Sequence, residues 1–553
     1  MRLNEVMGIE QNRRWGVCSL NDFRKYLGLK PYKTFLEWNS DKEIADAAEK
    51  LYGNVENLEL YVGLQAEEAK PVMEGAGLCP GYTISRAILS DAIALTRGDR
   101  HFTHDYTPYN LTAWGFADCQ RDPNAFGFGS TLGRLLLRTL PHNFTENSVY
   151  TFFPLMTPES MRTNLDKLKL LDQYDLSRPK RHNAAQVVSS YPQVAEIVKD
   201  RSAFSPPYAV RAARVLSGKG FYTIDGLGAQ EKVYRALADS TESIDKIGRF
   251  FYDTTRKLID SHSYKLVGKI THGVNLVRDV LKYVPVYWAA SEIGGFSLKT
   301  KESPEGHYTP QELYQILGDI YSFIFLDVEA SRVMVLGAKV TTDIKHLLDL
   351  IKGNLGLGII DKNTLSELFH KHKKTEHHEI VKRLHALGGS TDELANTILA
   401  LLVGSTVELS LALTNAVNLF LGSEHQATIH TSANLSNSKA LNGLIYEALS
   451  TITKDHSIGS LSLKKGDNVF LDVKSANLDE TVFSSANAVD STRMGKNVIW
   501  GDGVFNHLGE QLTLKVLSES IRAIFSYDNV RRAPGQSGTL ARVILHGMLT
   551  KYK

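Results

Sequence analysis

The longest apolar stretch of the chain constrains its fold more than any other feature. It runs from Thr391 to Leu421, TDELANTILALLVGSTVELSLALTNAVNLFL, and it is apolar nearly all round when it is wound as a helix. A helix that is hydrophobic on every side has to be surrounded by other elements. The stretch therefore predicts a buried central helix in a mainly α-helical domain, and 553 residues leave room for two or more domains.

Local signals predict helices and strands elsewhere in the chain. Asp41 and Gly53 suit the beginning and the end of a helix over DKEIADAAEKLYG. A helix over TISRAILSDAIALTRGD, stopped near Gly98, has an apolar face formed by Ile84, Ile88, Ala92 and Leu95. AAQVVSSYPQVAEIVKD is typical of a short strand, a turn at Pro192 and a helix. SLSLKKGDNVFLDVKSANLD alternates like a β-hairpin before a helix over EQLTLKVLSESIRAIF.

A proline-rich region predicts the domain boundary. It is punctuated by three prolines, Pro154, Pro158 and Pro179, with basic residues around the last of them. Such punctuation is typical of a connection between domains. We expect a first domain over residues 1–160, a linker over 161–182 and a second domain over 183–553.

Charge and cysteine content exclude several classes of protein. Lys and Arg number 63 against 61 Asp and Glu, and this balance gives no sign of a nucleic-acid partner. The start has no apolar core of signal-peptide length, and no later run is expected to reach the roughly 20 apolar residues that span a bilayer. The protein is expected to be cytoplasmic, with peripheral attachment to membranes or lipid bodies as an alternative. Cys18, Cys79 and Cys119 suggest neither disulfides nor a zinc site, and each is expected to be buried.

Two sets of motifs resemble one family of fused fungal enzymes. WGVCSLNDFRKYLGLKPYKTFLEWN, GYTISRAILSDAIALTRGDRHFTHDYTP and LPHNF lie within residues 13 to about 155. They resemble the C-terminal part of the animal-haem-peroxidase-like dioxygenase domain of fungal psi-producing oxygenases and linoleate diol synthases. HSYKL, YTPQELYQIL, KKGDNVF and RRAPGQSGTLARV lie further along the chain. This second set resembles the cytochrome P450-like domain of the same fusion.

The resemblance implies a fold, a cofactor and a substrate. The chain is expected to be mainly α, with the C-terminal part of a peroxidase-like helical domain followed by a P450-like α domain with small β-sheets. The family's cofactor is haem. Its front domain uses a tyrosyl radical to convert an unsaturated C18 fatty acid such as linoleate into a hydroperoxide. Association into a homo-oligomer is compatible with the resemblance.

The first domain lacks the segment that carries this chemistry in the family. There, the radical Tyr and the haem-ligating His belong to a Tyr-Arg-Trp-His segment. Here the pair Arg14 and Trp15 is preceded by Arg13 and followed by Gly16. The first domain is therefore expected to be N-terminally truncated. Three histidines lie downstream of the expected ligand position, namely His101, His104 and His142, and the last is expected to be structural.

The haem-ligand loop of the second domain is expected to be degenerate. In the family, a cysteine thiolate holds the P450 haem within an aromatic-Gly-x-Gly-x-His-x-Cys-x-Gly loop. The glycines of that loop survive here as Gly501, Gly503 and Gly509. His507 occupies the cysteine position, and Phe505 replaces the family's histidine. Either His507 ligates the haem iron without the electron push of a thiolate, or the loop holds no haem.

Several further residues have a functional and an ordinary interpretation. The resemblance places three hydroxyl residues on a helix that lines the fatty-acid channel, namely Thr83, Ser85 and Ser90. Alternatively, they are ordinary members of a partly exposed helix. Asn415 and Asn418 loosely match the family's amide motif that handles the hydroperoxide, or they are simple helix-face residues.

Two other segments argue against additional chemistry. The family's Glu-x-x-Arg ion pair is incomplete, because Ser450 stands where Glu447 would meet its arginine. The patch HKHKKTEHHE at 370–379 is expected to be a solvated helix face rather than a metal site, since its charge density is high.

These features leave three functional hypotheses. The first is a haem-dependent linoleate oxygenase of oxylipin biosynthesis whose P450-like hydroperoxide isomerase half is inactive. The second is a non-catalytic relic or pseudoenzyme that binds a fatty acid or contacts a paralogue. The third is a different haem protein, a weak peroxidase or a sensor, built on His507.

Overall fold

The computed structural model describes most of the chain. The described residues are 2–71, 81–122, 126–181, 185–200, 204, 208–218, 220–222, 227–268, 270–326, 328–359, 377–422, 441, 469–484, 508–540, 542–545 and 549–552. They form two units, Met1–Lys180 (the first unit) and Arg181–Lys553 (the second unit). The linker expected over 161–182 stays a prediction. Within that range the amide of Asp175 donates to the carbonyl oxygen of Asn147 at 3.0 Å, which ties Asp175 to the first unit.

The first unit is helical. Its helices are α1 (Arg2–Trp15), α2 (Leu20–Tyr26), α3 (Phe35–Trp38), α4 (Lys42–Tyr52), α5 (Leu60–Gln65), α6 (Tyr82–Gly98), α7 (Pro108–Asp118), α8 (Phe126–Gly129), α9 (Thr131–Thr139), α10 (Val149–Phe152) and α11 (Pro158–Lys167). Short 3-10 turns cover Val55–Asn57 and Leu171–Gln173. One small core lies between α2, α3, α4 and the first 3-10 turn, where Leu20, Trp38 and Leu58 are fully buried.

Helices also dominate the second unit. They are α12 (Tyr191–Lys199), α13 (Tyr208–Ala212), α14 (Leu227–Leu237), α15 (Thr241–His262), α16 (Val284–Trp288), α17 (Pro310–Phe325), α18 (Ala330–Ile359), α19 (His377–His385), α20 (Thr391–Gly404), α21 (Val407–Phe420), α22 (Val473–Asn477) and α23 (Glu510–Phe525). Two π-helical segments, Leu276–Leu281 and Ala289–Gly294, flank α16, and a 3-10 turn covers Gly535–Gly538.

The strands of the second unit are short and pair in twos. In the described part of the chain β1 (Gln186–Val188) runs parallel to β4 (Val469–Leu471), with Val188 opposite Leu471. The other two pairs are antiparallel. They are β2 (Tyr264–Lys265) with β3 (His272–Gly273), and β5 (Arg542–Leu545) with β6 (Leu549–Tyr552).

The predicted central helix lies in the middle of the second unit's hydrophobic core. It is present as α20 and α21, and most of its side chains are buried among α16, α17, α18, α23 and the two π-helical segments. The stretch is long and apolar enough to cross a membrane by length and composition, contrary to the expectation that no run would be. Most of its apolar window is nevertheless buried inside the protein, as the prediction of a core helix requires.

Several predicted elements are present. The helix expected between Asp41 and Gly53 is present as α4. It begins where the Asp41 carboxylate accepts from the amide of Glu43, and it ends at Gly53, which has a φ of 70°. The helix that stops near Gly98 is α6, and β1, α12 and α23 also lie where they were expected. The separate turn expected at Pro192 is instead the first turn of α12. Proline is tolerated there because amides in the first turn of a helix have no helical hydrogen-bond partner.

The first half of the β-hairpin predicted over 460–479 lies outside the described residues, so the hairpin stays a prediction. β4 pairs with β1, far away in sequence, and the residues that follow it are the helix α22. The Asp472 side chain accepts from the amide of Ser475 at 3.0 Å, which begins that helix, and Ala476 is fully buried within it. Alternation therefore predicted the strand β4 correctly, and the described partner of that strand is β1.

Candidate functional site

The chain enters α23 at a glycine in a left-handed conformation. Gly509 has a φ of +83°, a value that favours glycine, and a Cβ there would lie 3.6 Å from Cγ of Tyr234. This geometry fits a loop that turns sharply into a helix. Gly501, Gly503, Phe505 and His507 lie outside the described residues, so the loop itself remains a prediction. The same is true of Glu447 and Ser450.

The donor atoms of the second unit do not fit a thiolate-ligated haem. The chain has three cysteines, at 18, 79 and 119, so residues 181–553 contain none. A P450-type haem requires a cysteine thiolate on its iron. Among the described residues there is also no group of three or more His, Cys, Asp or Glu that could hold a metal ion. We therefore derive no reaction step through a haem in this unit.

The prediction that the cysteines are buried is wrong for the two that are described. Cys18 and Cys119 are free and exposed, because Cys18 lies in the connection from α1 to α2 and Cys119 follows the last residue of α7. Cys79 lies outside the described residues.

The central helix is interrupted next to the one charged residue that lies beyond its first turn. α20 ends at Gly404 and α21 begins at Val407, and the hydroxyl of Thr406 donates back to the carbonyl oxygen of Leu402 at 3.0 Å. Hydroxyl bonds of this kind compete with the helical ladder and bend helices. Glu408 follows directly and is the single charged residue between 394 and 422.

Four tyrosines surround Glu408, and together they form what we call the Glu408 cluster (Glu408, Tyr208, Tyr222, Tyr234 and Tyr321). The hydroxyl of Tyr321 donates to Oε1 of Glu408 at 2.7 Å. Burial and the Glu408 carboxylate raise the pKa of Tyr321 well above its ordinary value. Burial first, and Glu408 second, raise the pKa of Tyr208 and of Tyr234. These hydroxyls consequently remain protonated donors at neutral pH.

Sequence reasoning missed this cluster, although a signal was present. A lone charge in an otherwise apolar helix needs a polar partner. The tyrosines come from α13, α14, α17 and the segment before α14, so local spacing gave no hint of them. The cluster can donate and accept hydrogen bonds.

Asn418, one of the two asparagines predicted on the central helix, makes a structural contact. The guanidinium of Arg532, from the RRAPGQSGTLARV motif, donates to Oδ1 of Asn418 at 2.9 Å and to its carbonyl oxygen. Arg532 also donates to the carbonyl oxygen of Gly538 at 3.0 Å. Asn418 therefore joins α21 to the segment after α23. Asn415 is half-buried on the same helix.

The predicted channel residues of the first unit lie on α6. The Ser85 hydroxyl donates to the carbonyl oxygen of Gly81 and accepts from Nζ of Lys70, both at 2.7 Å. Ser90 is half-exposed, and its hydroxyl donates to the carbonyl oxygen of Arg86 at 2.7 Å. A contact of these side chains with a fatty acid stays a prediction.

Thr83, the third of these residues, belongs to a buried ionic cluster that sequence reasoning missed. We call it the Arg24 cluster (Arg24, Tyr32, Glu67 and Thr83). Glu67 accepts from the hydroxyl of Tyr32 at 2.6 Å, from the amide of Thr83 at 2.7 Å and from Nη1 of Arg24 at 3.1 Å. The Arg24 guanidinium also lies over the Tyr32 ring, 3.8 Å from its centre. Every charge is paired, so the cluster holds α2, the segment before α3 and α6 together.

The predicted histidines do not form a site. His101, His104 and His142 are all exposed, and the structural role expected for His142 stays a prediction. In the HKHKKTEHHE patch only 377–379 are described, and there His377 is largely buried while His378 and Glu379 are exposed. Burial lowers the pKa of the His377 imidazole, and contacts with backbone groups of Glu292 and Ile293 oppose that shift.

A family model and several relatives match the chain. The model for animal haem peroxidase matches residues 6–121. A bifunctional dioxygenase and epoxy alcohol synthase of Pyricularia oryzae is 31% identical over 98% of this chain and 50% of its own length. Psi-producing oxygenase A of Emericella nidulans is 31% identical over 99% of this chain and 54% of its own length. The chain thus spans about half the length of the curated relatives it matches.

Solved structures match the second unit's kind of fold. HmtT, a protein involved in himastatin biosynthesis, superposes with a TM-score of 0.50 at 18% identity, over 68% of this chain and 94% of its own. The cytochrome P450 enzyme CYP109B1 of Bacillus subtilis has a TM-score of 0.46 at 17% identity, over 66% of this chain and 92% of its own. The prediction of a mainly α chain with a peroxidase-like part and a P450-like part is confirmed.

The predicted family and its cofactor are also confirmed. The animal haem peroxidase model, which matches residues 6–121, points to haem, although the second unit has no thiolate to hold a P450-type haem. The relatives named as a dioxygenase and as psi-producing oxygenases align along almost all of this chain, and the linoleate diol synthase of Gaeumannomyces graminis is 34% identical over 66% of this chain and 32% of its own length. The chain is therefore homologous, over nearly its whole length, to part of the fungal psi-producing oxygenase and linoleate diol synthase family.

Proposed function

We propose that this protein is a linoleate oxygenase of oxylipin biosynthesis in which the P450-like second unit does not catalyse the P450-type reaction. The observation that carries the proposal is the absence of cysteine from residues 181–553. The helical core of that unit is intact and its central helix is buried, so the fold has been kept while the iron ligand has not.

Two further observations support a silent second unit. An imidazole at position 507 is neutral and supplies no electron push of the kind a thiolate gives. Asn418, which the family resemblance offered as a hydroperoxide-handling amide, has its side-chain oxygen engaged by Arg532 at 2.9 Å. A substrate would have to share that oxygen with the Arg532 guanidinium.

The proposed substrate is an unsaturated C18 fatty acid, and linoleate is the first choice. Relatives named linoleate 10R-lipoxygenase and linoleate diol synthase support it. With the second unit silent, a fatty-acid hydroperoxide would accumulate and would not be isomerised to a diol. The protein is further proposed to be cytoplasmic, and peripheral attachment to lipid bodies or membranes is the alternative.

The proposal is tested with residues 1–553 reconstituted with haemin. The wild type should show no thiolate-type ferrous–CO absorption band, and it should leave a supplied linoleate hydroperoxide unchanged. The His507→Cys variant should gain the thiolate-type band, because it restores the family's ligand at its own position. His142→Cys, which adds a cysteine at an exposed position of the first unit, is the matched control and should gain none. A thiolate-type band in the wild type would contradict the proposal.

A second candidate is a non-catalytic protein that binds a fatty acid or contacts a paralogue. The observation that favours it is that the sequence contains no Tyr-Arg-Trp-His segment, and so neither the radical Tyr nor the haem-ligating His of the family. Oxygen uptake separates the two candidates. Uptake on addition of linoleate to the haemin-treated chain supports the oxygenase. Binding of linoleate without uptake supports the non-catalytic protein.

A further inference from the structure

The connection from α15 to the π-helical segment Leu276–Leu281 is the hairpin of β2 and β3. Tyr264 lies opposite Gly273, and the amide of Leu266 donates to the carbonyl oxygen of Thr271 at 3.0 Å. In the described part of the chain, β2 and β3 pair only with each other. So short a hairpin is not stable by itself. It therefore depends on the helices that hold its two ends.

Both ends of the hairpin are fixed in the hydrophobic core of the second unit. Before it, Leu258 and Ile259 of α15 are buried, and after it Val274 and Leu276 pack against the same core. The hydroxyl of Ser263 donates to the carbonyl oxygen of Ile259 at 2.6 Å, at the end of α15. Buried side chains on both sides thus set the position of the hairpin.

The far end of the hairpin is apolar, and the described part of the second unit leaves it open to solvent. Val267 and Ile270 are 99% and 94% exposed, and Tyr264 is 58% exposed. We call residues 264–270 the hairpin tip. Turn positions normally carry Gly, Asn, Asp or Pro, and a β-branched apolar side chain stabilises a fold only where it is buried. Three exposed apolar side chains within seven residues mark a surface on which something binds.

The aromatic residue of the hairpin tip lies across its neighbouring strand. A Cβ at Gly273 would come within 2.9 Å of Cζ of Tyr264, so the glycine makes room for the ring. A tyrosine has an apolar ring and a polar hydroxyl, and it is enriched where a hydrocarbon layer meets water. Tyr264 lies on the chain between the core and the apolar residues Val267 and Ile270.

The charge of the hairpin has one sign. From 261 to 277 the sequence contains Lys265 and Lys269 but no Asp or Glu. Lys265 is exposed, and Lys269 lies outside the described residues. The two lysines are therefore next to apolar residues and distant in sequence from any carboxylate.

The acidic residues that flank this stretch are already engaged. The hydroxyl of Tyr527 donates to Oδ1 of Asp260 at 2.6 Å. The guanidinium of Arg278 donates to Oδ1 of Asp279 at 2.7 Å and to Oδ2 at 2.9 Å. An apolar tip with lysines beside it is complementary to a surface that is negatively charged outside and apolar beneath.

We infer that the hairpin tip inserts into an anionic phospholipid surface. Burial of Val267 and Ile270 in the acyl layer supplies apolar contact, and the lysines supply attraction to the charged headgroups. A nucleic acid is the less suitable partner. It would engage the lysines through its phosphates and leave the apolar residues in water.

The inference goes beyond the proposed function and does not depend on it. It gives a specific place to the peripheral membrane attachment that the proposed function leaves as an alternative. Neither haem nor turnover of linoleate enters the test, so its failure would leave the proposed oxygenase untouched.

The test uses residues 1–553 and two kinds of vesicle. One is phosphatidylcholine with phosphatidylserine in a roughly two-to-one ratio, and the other is phosphatidylcholine alone. Co-sedimentation should show binding to the anionic vesicles that weakens as salt is added, because salt screens the headgroup charge. Hydrogen exchange of the peptide over 263–275 should slow on addition of these vesicles, while exchange of the α23 peptide should not change.

Matched variants separate insertion from simple charge attraction. Val267→Glu combined with Ile270→Glu should weaken binding by more than about tenfold, because charges replace the side chains that enter the acyl layer. Lys265→Ser combined with Lys269→Ser should also weaken it by about tenfold or more, since each lysine near an anionic surface contributes about a factor of five. Val267 and Ile270 are already exposed, so the thermal unfolding midpoint should be that of the wild type.

The control is Val210→Glu combined with Leu387→Glu, at positions of the second unit that are 67% and 43% exposed and lie outside the hairpin. It adds the same charge and should lose no more than a few-fold in binding. Any of three results overturns the inference. The chain does not bind the anionic vesicles, or it binds neutral vesicles equally well. The glutamate substitutions in the hairpin weaken binding no more than those of the control. Exchange over 263–275 does not slow when vesicles are added.

Discussion

Removing the Arg24 side chain should make local opening of α2 in the first unit far more frequent than removing an exposed arginine does. The side chains of Arg24 and Glu67 are 8% and 1% exposed, and their ion pair at 3.1 Å lies in the Arg24 cluster. In Arg24→Met the apolar stem of the side chain is kept and the charge is lost. Glu67 then keeps its bonds to Tyr32 and Thr83 but becomes a buried carboxylate without a cation.

The magnitude follows from that unpaired charge. Breaking a buried ion pair by removing one partner costs about 3–5 kcal/mol, much of it the cost of the charge left behind. Since roughly 1.4 kcal/mol corresponds to a factor of ten, opening of α2 should become about two to three and a half orders of magnitude more frequent. The double variant Arg24→Met with Glu67→Leu removes both charges and should recover part of the loss.

Hydrogen exchange of the α2 peptide, Leu20–Tyr26, measures this opening, and the α23 peptide of the second unit is the internal reference. Arg14→Met is the matched control, because Arg14 pairs with Glu10 at 3.4 Å but its side chain is 79% exposed. Exposed pairs contribute about 0–1 kcal/mol, so exchange should hardly change. The reasoning is refuted if Arg24→Met and Arg14→Met exchange alike.

Three smaller predictions concern the second unit. Tyr321→Phe removes the donor to Glu408 and should lower the free energy of unfolding by about 1.5–3 kcal/mol in urea titration, and an unchanged midpoint would contradict the role of the Glu408 cluster. Asn418→Leu should cost about 1.5 kcal/mol in the same titration because Arg532 loses its side-chain acceptor, whereas no loss would mean that this contact is not structural. Burial lowers the pKa of His377 in the folded protein, so the unfolded chain takes up the proton first as the pH falls. Stability should therefore be complete above about pH 6.5 and decline below it, by at most about 1.4 kcal/mol per pH unit, until the lowered folded pKa is passed. Thermal unfolding of His377→Gln should lack this decline.

Local chemistry made some elements predictable. α4 lies between Asp41 and Gly53 because a carboxylate that accepts from the first free amides begins a helix, and a glycine with positive φ ends one. The central helix was predictable because its apolar residues occupy every side. Both inferences need only residues that are neighbours along the chain.

Contacts between distant residues were not predictable in this way. The pairing of β4 with β1 was not predicted, because alternation identifies a strand without identifying a partner that is distant in sequence. Arg24 and Glu67 are 43 residues apart in sequence, so local patterns did not bring them together, and Thr83 was singled out for a substrate channel and not for an ionic cluster. The haem-ligand prediction rests on sequence alone, since position 507 lies outside the described residues.

The parallel pair of β1 and β4 has a consequence for how the protein is made. Val188 of β1 lies opposite Leu471 of β4. During translation β1 therefore cannot pair until β4 has been synthesised, about 280 residues later. At roughly 5–20 residues per second, translation separates the two by about 14–56 s. During that interval β1 leaves the ribosome with unpaired backbone groups and apolar side chains. Nascent chains of this protein should therefore depend on chaperones that hold an emerging segment until the last third of the chain has been translated.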